Sequence, residues 1–509
     1  MNDKVNILLG PPGTGKTTRL LSIVDGWLES GIRPDEIGFV SFTKKAANEA
    51  MTRACDKFKL NPDDLPYFRT LHSLAFQHLN VARDQVMSTP MWFKFAQLMG
   101  VSISFKRATL DEGSLYGYNK GDRLLFIENL ARVKCISLEQ LWSSTSIYEE
   151  NISLPELSQI RDALKTFKEV NGRMDYTDMI HKFVEQGTSP KIRKLVVDEA
   201  QDLSRCQWQM VGVIAKQAEE VYLAGDDDQA IFRWAGADIE TWIKLPGSVK
   251  VLEQSYRVPS RVAALANEVA KRCALRRKKI WHPRQEKGEV YYVPGVENIN
   301  MDQGTWLLLG RNTHMLKNYE DYCSMQGLVF ESHQSKESKL PIWEAIKTHV
   351  KARAGQPVNA REAWHMYTFI STAKGVAYGK KGGLRDLADS KPFHAIYYKD
   401  LVETYGLIID DTWDKVLDKI VFEDKRYFLA AIAKGETPDK AARIRISTIH
   451  GAKGGEADNV VLMTDMAVRT YREYQDNPDD EARVWYVGIT RAKQNLYILA
   501  PQTLRHYDL

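Results

Sequence analysis

Gly10-Pro11-Pro12-Gly13-Thr14-Gly15-Lys16-Thr17 fits the pattern G-x-x-x-x-G-K-[ST]. Its flanks narrow the folds open to this chain. Val5-Asn6-Ile7-Leu8-Leu9 reads as a short buried strand, and Thr18-Arg19-Leu20-Leu21-Ser22-Ile23-Val24 as the start of a helix. Strand, glycine loop and helix in that order predict a parallel α/β sheet with a phosphate site at a strand's carboxyl end. The glycines let backbone N–H groups close around phosphate oxygens, and the helix N-terminus adds partial positive charge. Lys16 is expected to reach the β- and γ-phosphates, and Thr17 to hold Mg²⁺. Gly10 through Thr17, with Thr18 behind them, are therefore the expected nucleotide-binding residues.

At 509 residues the chain has room for about three or four domains. Its 44% hydrophobic and 27% charged residues fit an ordinary globular protein with large cores. A net charge of +4 is too small to imply nucleic acid by itself, so any basic groove must be local. Cys55, Cys135, Cys206, Cys273 and Cys323 are odd in number and never spaced C-x-x-C, which argues against a disulfide framework or zinc site and for a reducing compartment. No apolar run approaches the ~20 residues of a membrane helix, and no signal segment precedes the first strand. The expected location is the cytoplasm, with no membrane partner.

Further strands are read at Ile37–Phe42, Lys194–Val197, Val221–Ala224 and Val249–Leu252. Several end in polar clusters: Asp198-Glu199-Ala200-Gln201-Asp202, Gly225-Asp226-Asp227-Asp228-Gln229 and Glu253-Gln254-Ser255-Tyr256-Arg257. A second set lies at Val290–Val293, Thr305–Leu309, Ile444–Ser447, Val460–Met463 and Leu496–Leu499. The expected fold class is α/β, with two parallel-sheet cores that each carry a mainly helical insertion. Residues 1–82 and 184–258 would form the first core and 83–183 its insertion; 259–335 and 441–509 the second core and 336–440 its insertion.

An acid pair after a strand is the natural partner of the loop. Asp198 would hold Mg²⁺, and Glu199 would orient and deprotonate an attacking water. With these motifs in place, the chain resembles superfamily 1 DNA helicases of the UvrD/Rep/PcrA type over almost its whole length. The resemblance rests on Gly10–Thr17, Phe42-Thr43-Lys44-Lys45-Ala46-Ala47, Thr70-Leu71-His72-Ser73, Asp175-Tyr176-Thr177-Asp178-Met179, Asp198–Asp202 and Gly225–Trp234. It continues through Glu253–Arg257, Thr448-Ile449-His450-Gly451-Ala452-Lys453-Gly454-Gly455-Glu456 and Tyr486-Val487-Gly488-Ile489-Thr490-Arg491-Ala492-Lys493.

The resemblance implies that the two cores are RecA-like and that ATP lies between them. Lys16, Glu199, Gln229, Arg257 and Arg491 would be the catalytic set. Gln229 would sense the γ-phosphate, and the two arginines would be fingers whose planar guanidinium groups suit charge spread over phosphate oxygens. Each arginine could instead be a surface ion pair. Tyr256 would stack on adenine, unless it packs in the core, and Glu456 would meet the ribose.

The implied partners are single-stranded DNA and single-strand/duplex junctions, bound without sequence readout by aromatic faces and phosphate donors. Phe42, Trp234 and Phe232 would stack on bases; Thr43, Thr70, His72, Thr448 and His450 would contact the backbone. Core packing is the alternative for Phe232 and Trp234, and a structural hydrogen bond the alternative for the histidines. Arg272, Arg276, Arg277, Lys278 and Lys279 form a basic run, read as a solvated face or a contact to DNA phosphates. Phe369–Ala377 resembles a glycine-turn motif that touches duplex in the family, with Ala377 where a second glycine is usual.

The sequence departs from its family elsewhere too. Nine residues precede Gly10, leaving no room for the glutamine that reads adenine, so weaker discrimination of ATP from other NTPs is expected. Ala235 stands where many relatives have arginine, and Gly455 where leucine is usual. The expected function is ATP-dependent 3′→5′ translocation and DNA unwinding by a monomer, direction resting on resemblance alone. The rivals are a translocase that strips proteins without unwinding and a nucleotide-switched DNA-binding module. Protein partners and pathway are not encoded in these motifs.

Overall fold

The computed structural model describes residues 4–41, 44–104, 119–144, 152–332, 339–372, 374–437 and 442–509. Six parallel strands form the first sheet: β1 (Val5–Leu9), β2 (Ile37–Ser41), β3 (Phe68–Thr70), β4 (Lys194–Asp198), β5 (Glu220–Gly225) and β6 (Ser248–Val251), in the order β3-β2-β4-β5-β1-β6. All five strand pairs are parallel. Parallel sheets are covered on both faces, which is why the inner strands β1, β2, β4 and β5 read as largely apolar runs, while the edge strand β6 stays mostly exposed. Ile7, Val40, Leu195, Val197 and Leu223 enter one core with the helix Arg205–Gln217; Leu8, Phe39, Val196 and Ala224 enter the other with the helix Lys16–Glu29.

Two short strands follow, β7 (Gln254–Pro259) and β8 (His282–Arg284), which pair with each other. The polar segment Glu253–Arg257 is thus largely a strand in its own right. The second six-stranded sheet contains β9 (Glu289–Val293), β10 (Trp306–Gly310), β11 (Phe330–Ser332) and, past the two-residue strands β12 (Val358–Asn359) and β13 (Ala395–Ile396), β14 (Ile444–Thr448), β15 (Ala457–Met463) and β16 (Ala492–Leu499). The two parallel sheets are the two RecA-like cores expected from the sequence.

By compactness the chain divides into one unit of residues 1–294, 309–312 and 448–509, and a second of 295–308 and 313–447. Within the first unit, β16 lies parallel between β15 and β9, and helices fill the stretch between β3 and β4. Those helices are tied by ions. Arg132 reaches Asp175 (2.8 Å), Asp178 (3.0 Å) and Glu128 (2.8 Å), while Lys168 donates to Asp175 (2.8 Å) and Asp178 (2.6 Å). Asp175 also caps the helix Tyr176–Gln186 through the Asp178 N–H. The second unit has its own core around Trp343, Met366, Tyr367, Leu401 and Phe428. Among the described residues, no helix is long and apolar enough to cross a membrane.

Candidate nucleotide and DNA site

All the geometry below lies within the first unit. The loop Gly10–Gly15 leaves the carboxyl end of β1 and runs into the helix Lys16–Glu29. Gly13 and Gly15 take φ of +72° and +76°, a region that penalises a Cβ. Space is short as well: a Cβ on Gly10 would lie 2.0 Å from Lys16 Cγ, and one on Gly13 2.3 Å from Arg257 Cβ. The loop is a cradle kept open by missing side chains. Lys16 Nζ donates to Gly10 O (2.9 Å) and lies 4.0 Å from Glu199 Oε1. Thr14 Oγ1 donates to Pro11 O (2.8 Å), which braces the turn from inside.

β4 delivers the acids. Thr17 Oγ1 donates to Asp198 Oδ2 (2.8 Å), so hydroxyl and carboxylate meet beside the cradle. This pair of hard oxygen donors fits a magnesium ion, which takes one or two protein oxygens and keeps waters. Burial, with the charge of Glu199 added, pushes Asp198 up to about 6. Burial also works against the Glu199 carboxylate, but Lys16 and Lys453 outweigh it and hold the group below its ordinary range. Glu199 sits at φ +53°, uncommon for a residue with a side chain, and its carboxylate accepts from Gln201 Nε2 (2.5 Å).

β5 ends in the sensor segment. Gln229 Nε2 donates to Asp226 Oδ2 (2.6 Å), and Gln229 Oε1 accepts from Arg491 Nη2 (3.1 Å). Arg491 is 1% exposed. It donates to Val487 O (2.9 Å), Gly455 O (3.3 Å) and Thr490 Oγ1 (3.2 Å), all neutral acceptors. No carboxylate stands within ion-pair distance among the described residues. Burial, with Arg257 nearby, pulls the guanidinium down to about 9. A buried cation held by neutral groups alone is costly, and its position suits an anion that arrives from outside.

Arg257 differs. Its Nε donates to Glu456 Oε2 (2.6 Å), and Glu456 also pairs with Lys493 (3.2 Å). The ion-pair alternative is the arrangement seen for this arginine. β7 is docked on the loop: Tyr256 N–H donates to Gly13 O (2.8 Å), and Ser255 Oγ to Pro12 O (2.7 Å). Tyr256 is 73% exposed, so it is not core packing and its ring is available for stacking.

The residues expected on DNA divide by burial. Phe42 and Thr43 lie outside the described residues. Trp234 is half-buried, with Phe126 nearly parallel to it (centroids 6.4 Å apart, 24°) and His450 edge-on. Phe232, Thr448 and His450 are buried at 8%, 1% and 3% exposure. Lys453 lies over the Phe232 ring, and Thr448 Oγ1 accepts from Gly451 N–H (3.1 Å). Burial, with Arg311 and Lys453, drives His450 well below its ordinary range, so it is a neutral imidazole. Thr70 Oγ1 accepts from Ser73 N–H (3.3 Å) as a helix N-cap, and half-buried His72 sits edge-on to Tyr176.

Sequence reasoning missed several participants. Phe126, on the helix Lys120–Val133, carried no motif. Lys453 donates to Asp202 (2.5 Å) and to Gln229 O (2.8 Å), bridging two polar clusters. Neither reading of the basic run holds for most of it. Arg276 and Lys279 are turned inward onto Asp228 and Asp227, and the Arg277 guanidinium donates to Trp242 O and Leu245 O while its backbone N–H meets Asp227. Of the exposed pair Arg272 and Lys278, Arg272 donates to Asp508 O and lies over the Tyr507 ring. The acids that draw them in lie some fifty positions upstream, where no local charge rule looks.

The stretches of chain that carry these residues match known protein families. Residues 2–250 match the UvrD/REP helicase N-terminal domain, and residues 423–503 the UvrD-like helicase C-terminal domain. The chain belongs to the UvrD/Rep/PcrA-type helicase family. It is similar to the ATP-dependent DNA helicase PcrA of Bacillus subtilis, 27% identical over 57% of this chain and 40% of the relative. A probable DNA helicase of Mycoplasma pneumoniae is 26% identical over 97% of this chain and 80% of the relative. DNA helicase II of Haemophilus influenzae is 26% identical over 56% and 41%. The chain thus spans less than half of two of these UvrD-type relatives and most of the third.

Proposed function

We propose that the protein is an ATP-dependent DNA helicase that moves 3′→5′ along single-stranded DNA and separates duplex at single-strand/duplex junctions. The observation that carries this reading is Arg491, buried among neutral acceptors and bonded to Gln229 (3.1 Å) beside an open phosphate cradle. A guanidinium in that setting is placed to meet the charge that builds on a transferred phosphoryl group.

The chain's residues divide the work. The N–H groups of Gly10–Gly15 and the ammonium of Lys16 bind the β- and γ-phosphates, and Tyr256 stacks on the adenine, with Glu456 within reach of the ribose. Thr17 and Asp198 would hold Mg²⁺, whose charge counters that of the phosphate oxygens when it is bound. Glu199, kept ionised by Lys16 and Lys453, accepts the proton of the attacking water. Gln229 senses the γ-phosphate, while Arg491 and Arg257 neutralise the transferred group, Arg257 after leaving Glu456. Trp234 supplies a stacking face, and Thr70 and His72 border the same DNA path. Phe232, Thr448 and His450 support that path from beneath. Gln229 and Trp234 share one short segment, so a change felt at the phosphate reaches the base platform within five residues. We place the protein in the cytoplasm, working as a monomer.

Unwinding of matched duplexes with 3′ or 5′ single-stranded tails tests this. The expected result is strand separation from the 3′ tail that needs ATP and Mg²⁺ and is lost in Glu199→Gln. Preference for the 5′ tail overturns the direction. Streptavidin displacement without strand separation overturns the helicase reading in favour of a translocase.

A further inference from the structure

Asp226, Asp227 and Asp228 stand between β5 and Gln229 with their side chains enclosed. The Lys279 ammonium, itself fully enclosed, lies 2.8 Å from Asp226 Oδ1, 2.8 Å from Asp227 Oδ1 and 2.9 Å from Asp228 Oδ2. Arg276 forks onto Asp228 through Nε (2.8 Å) and Nη2 (2.5 Å), and the Arg277 N–H donates to Asp227 Oδ2 (2.8 Å). Buried ion clusters of this kind are poor stabilisers, since apolar residues of similar volume often serve as well or better. Stability alone does not account for it.

Its geometry does. Asp226 binds the Lys279 ammonium with Oδ1, and Gln229 Nε2 with Oδ2 (2.6 Å). An ionised carboxylate only accepts hydrogen bonds. Against it, the Gln229 carboxamide must point its NH₂ inward, which leaves Oε1 as the end that meets Arg491 Nη2 (3.1 Å). With the carboxamide reversed, two donors would face each other at Arg491 and two acceptors at Asp226.

We propose that Lys279 is a positioning residue for nucleotide turnover: through Asp226 it fixes which way round the Gln229 carboxamide lies, and so presents Oε1 to Arg491. This rests on the ATPase reading above and adds to it a residue outside the phosphate loop and acid pair. Burial works against the Lys279 ammonium, but the three carboxylates outweigh it and hold its proton more tightly than usual. The same ammonium helps hold Asp226 below its ordinary range despite burial.

The test is a double-mutant cycle on steady-state ATP turnover by the full chain with saturating oligo(dT). Lys279→Met is made alone and with Asp227→Asn, which removes one carboxylate that the ammonium neutralises. Asp226→Asn is a third variant, shaped like the native residue but able to pair with Gln229 either way round. Each is expected to lower kcat by roughly tenfold or more with KM for ATP within about threefold. In a Gln229→Ala background the same substitutions are expected to cost nothing further, because the pathway they act through is gone. Losses that multiply in both backgrounds, or a fall confined to KM, overturn the proposal. If both Lys279 variants fail to fold, Asp226→Asn decides by the same cycle. Absence of ATP turnover by the wild type overturns the enzymatic reading itself; wild-type turnover with multiplying losses overturns only the role of Lys279.

Discussion

Arg491 donates to Gln229 across 3.1 Å, joining a residue at the carboxyl end of β5 to one at the start of β16. The bond links the expected phosphate sensor to the expected arginine finger. Asp226 holds the far side of the same carboxamide, and Lys453 donates to the Gln229 carbonyl. Three residues thus converge on one glutamine, and a displacement of it is felt by all of them.

Arg491→Met should abolish turnover and raise stability together. The native guanidinium is buried with neutral acceptors alone, an arrangement that an apolar side chain of similar length relieves. Loss of a finger of this kind costs about 10³–10⁵ in rate. The expected outcome is a kcat near background and a higher Tm in nucleotide-free protein. A lower Tm would mean that Arg491 is a structural ion rather than one held ready for phosphate.

Asp198→Asn should stabilise the nucleotide-free protein at pH 7.5, and by only about half as much at pH 5, midway through the titration window. Burial and Glu199 push the native carboxyl up to about 6, against about 4 in the unfolded chain. Between those values the folded state keeps a proton that the unfolded state releases, so wild-type stability is fully present at low pH and falls as pH rises through 6. Asparagine mimics the protonated form at every pH. Thermal melts at the two pH values check this, and an equal shift at both would show that Asp198 does not titrate. With Mg²⁺ and ATP added, the wild type should gain Tm and the variant should not.

The sheets were legible because buried parallel strands leave apolar runs: Val5–Leu9, Lys194–Val197 and Val221–Ala224 fall within strands at nearly the boundaries read from the sequence. Gln254–Pro259 was not, since among the described residues it pairs only with the short segment His282–Arg284 and carries no apolar run. The phosphate cradle was legible because its glycines and lysine act through the local backbone. Burial at the DNA residues was not: Phe232 and His450 have the chemistry of contacts, but Lys453 over one ring and the enclosing core decide what they can touch. Lys279 was misread for the same reason, its acid partner Asp227 lying 52 positions upstream.

Asp175→Ala should cost about 3–5 kcal/mol, the range for removing one partner of a buried ion pair. Arg132 and Lys168 would be left facing a gap, and the helix Tyr176–Gln186 would lose its cap. Burial opposes the Asp175 carboxylate, but Arg132 and Lys168 outweigh it and hold the group well below the usual carboxylate range. A depressed pKa gives stability that is present above the unfolded value near 4 and lost only as pH falls through the folded one. The deficit measured by urea unfolding should therefore be flat from about pH 5 to pH 8. A deficit that shrinks across that window would place the carboxyl outside the ion cluster.

Trp234→Ala should weaken single-stranded DNA binding by about 1–3 kcal/mol, or roughly five- to 150-fold, the worth of one base stack. Trp234→Phe should restore most of this, because phenylalanine keeps a stacking face. The half-buried ring has Phe126 nearly parallel to it, so Phe126→Ala should also weaken binding, through the platform rather than through charge. Stacking releases no counterions, whereas phosphate contacts do. The slope of log Kd against log salt, measured by anisotropy of labelled oligo(dT), should therefore match the wild type in all three variants. A shallower slope in Trp234→Ala would mean that the tryptophan orders nearby cations, and the stacking role would fall.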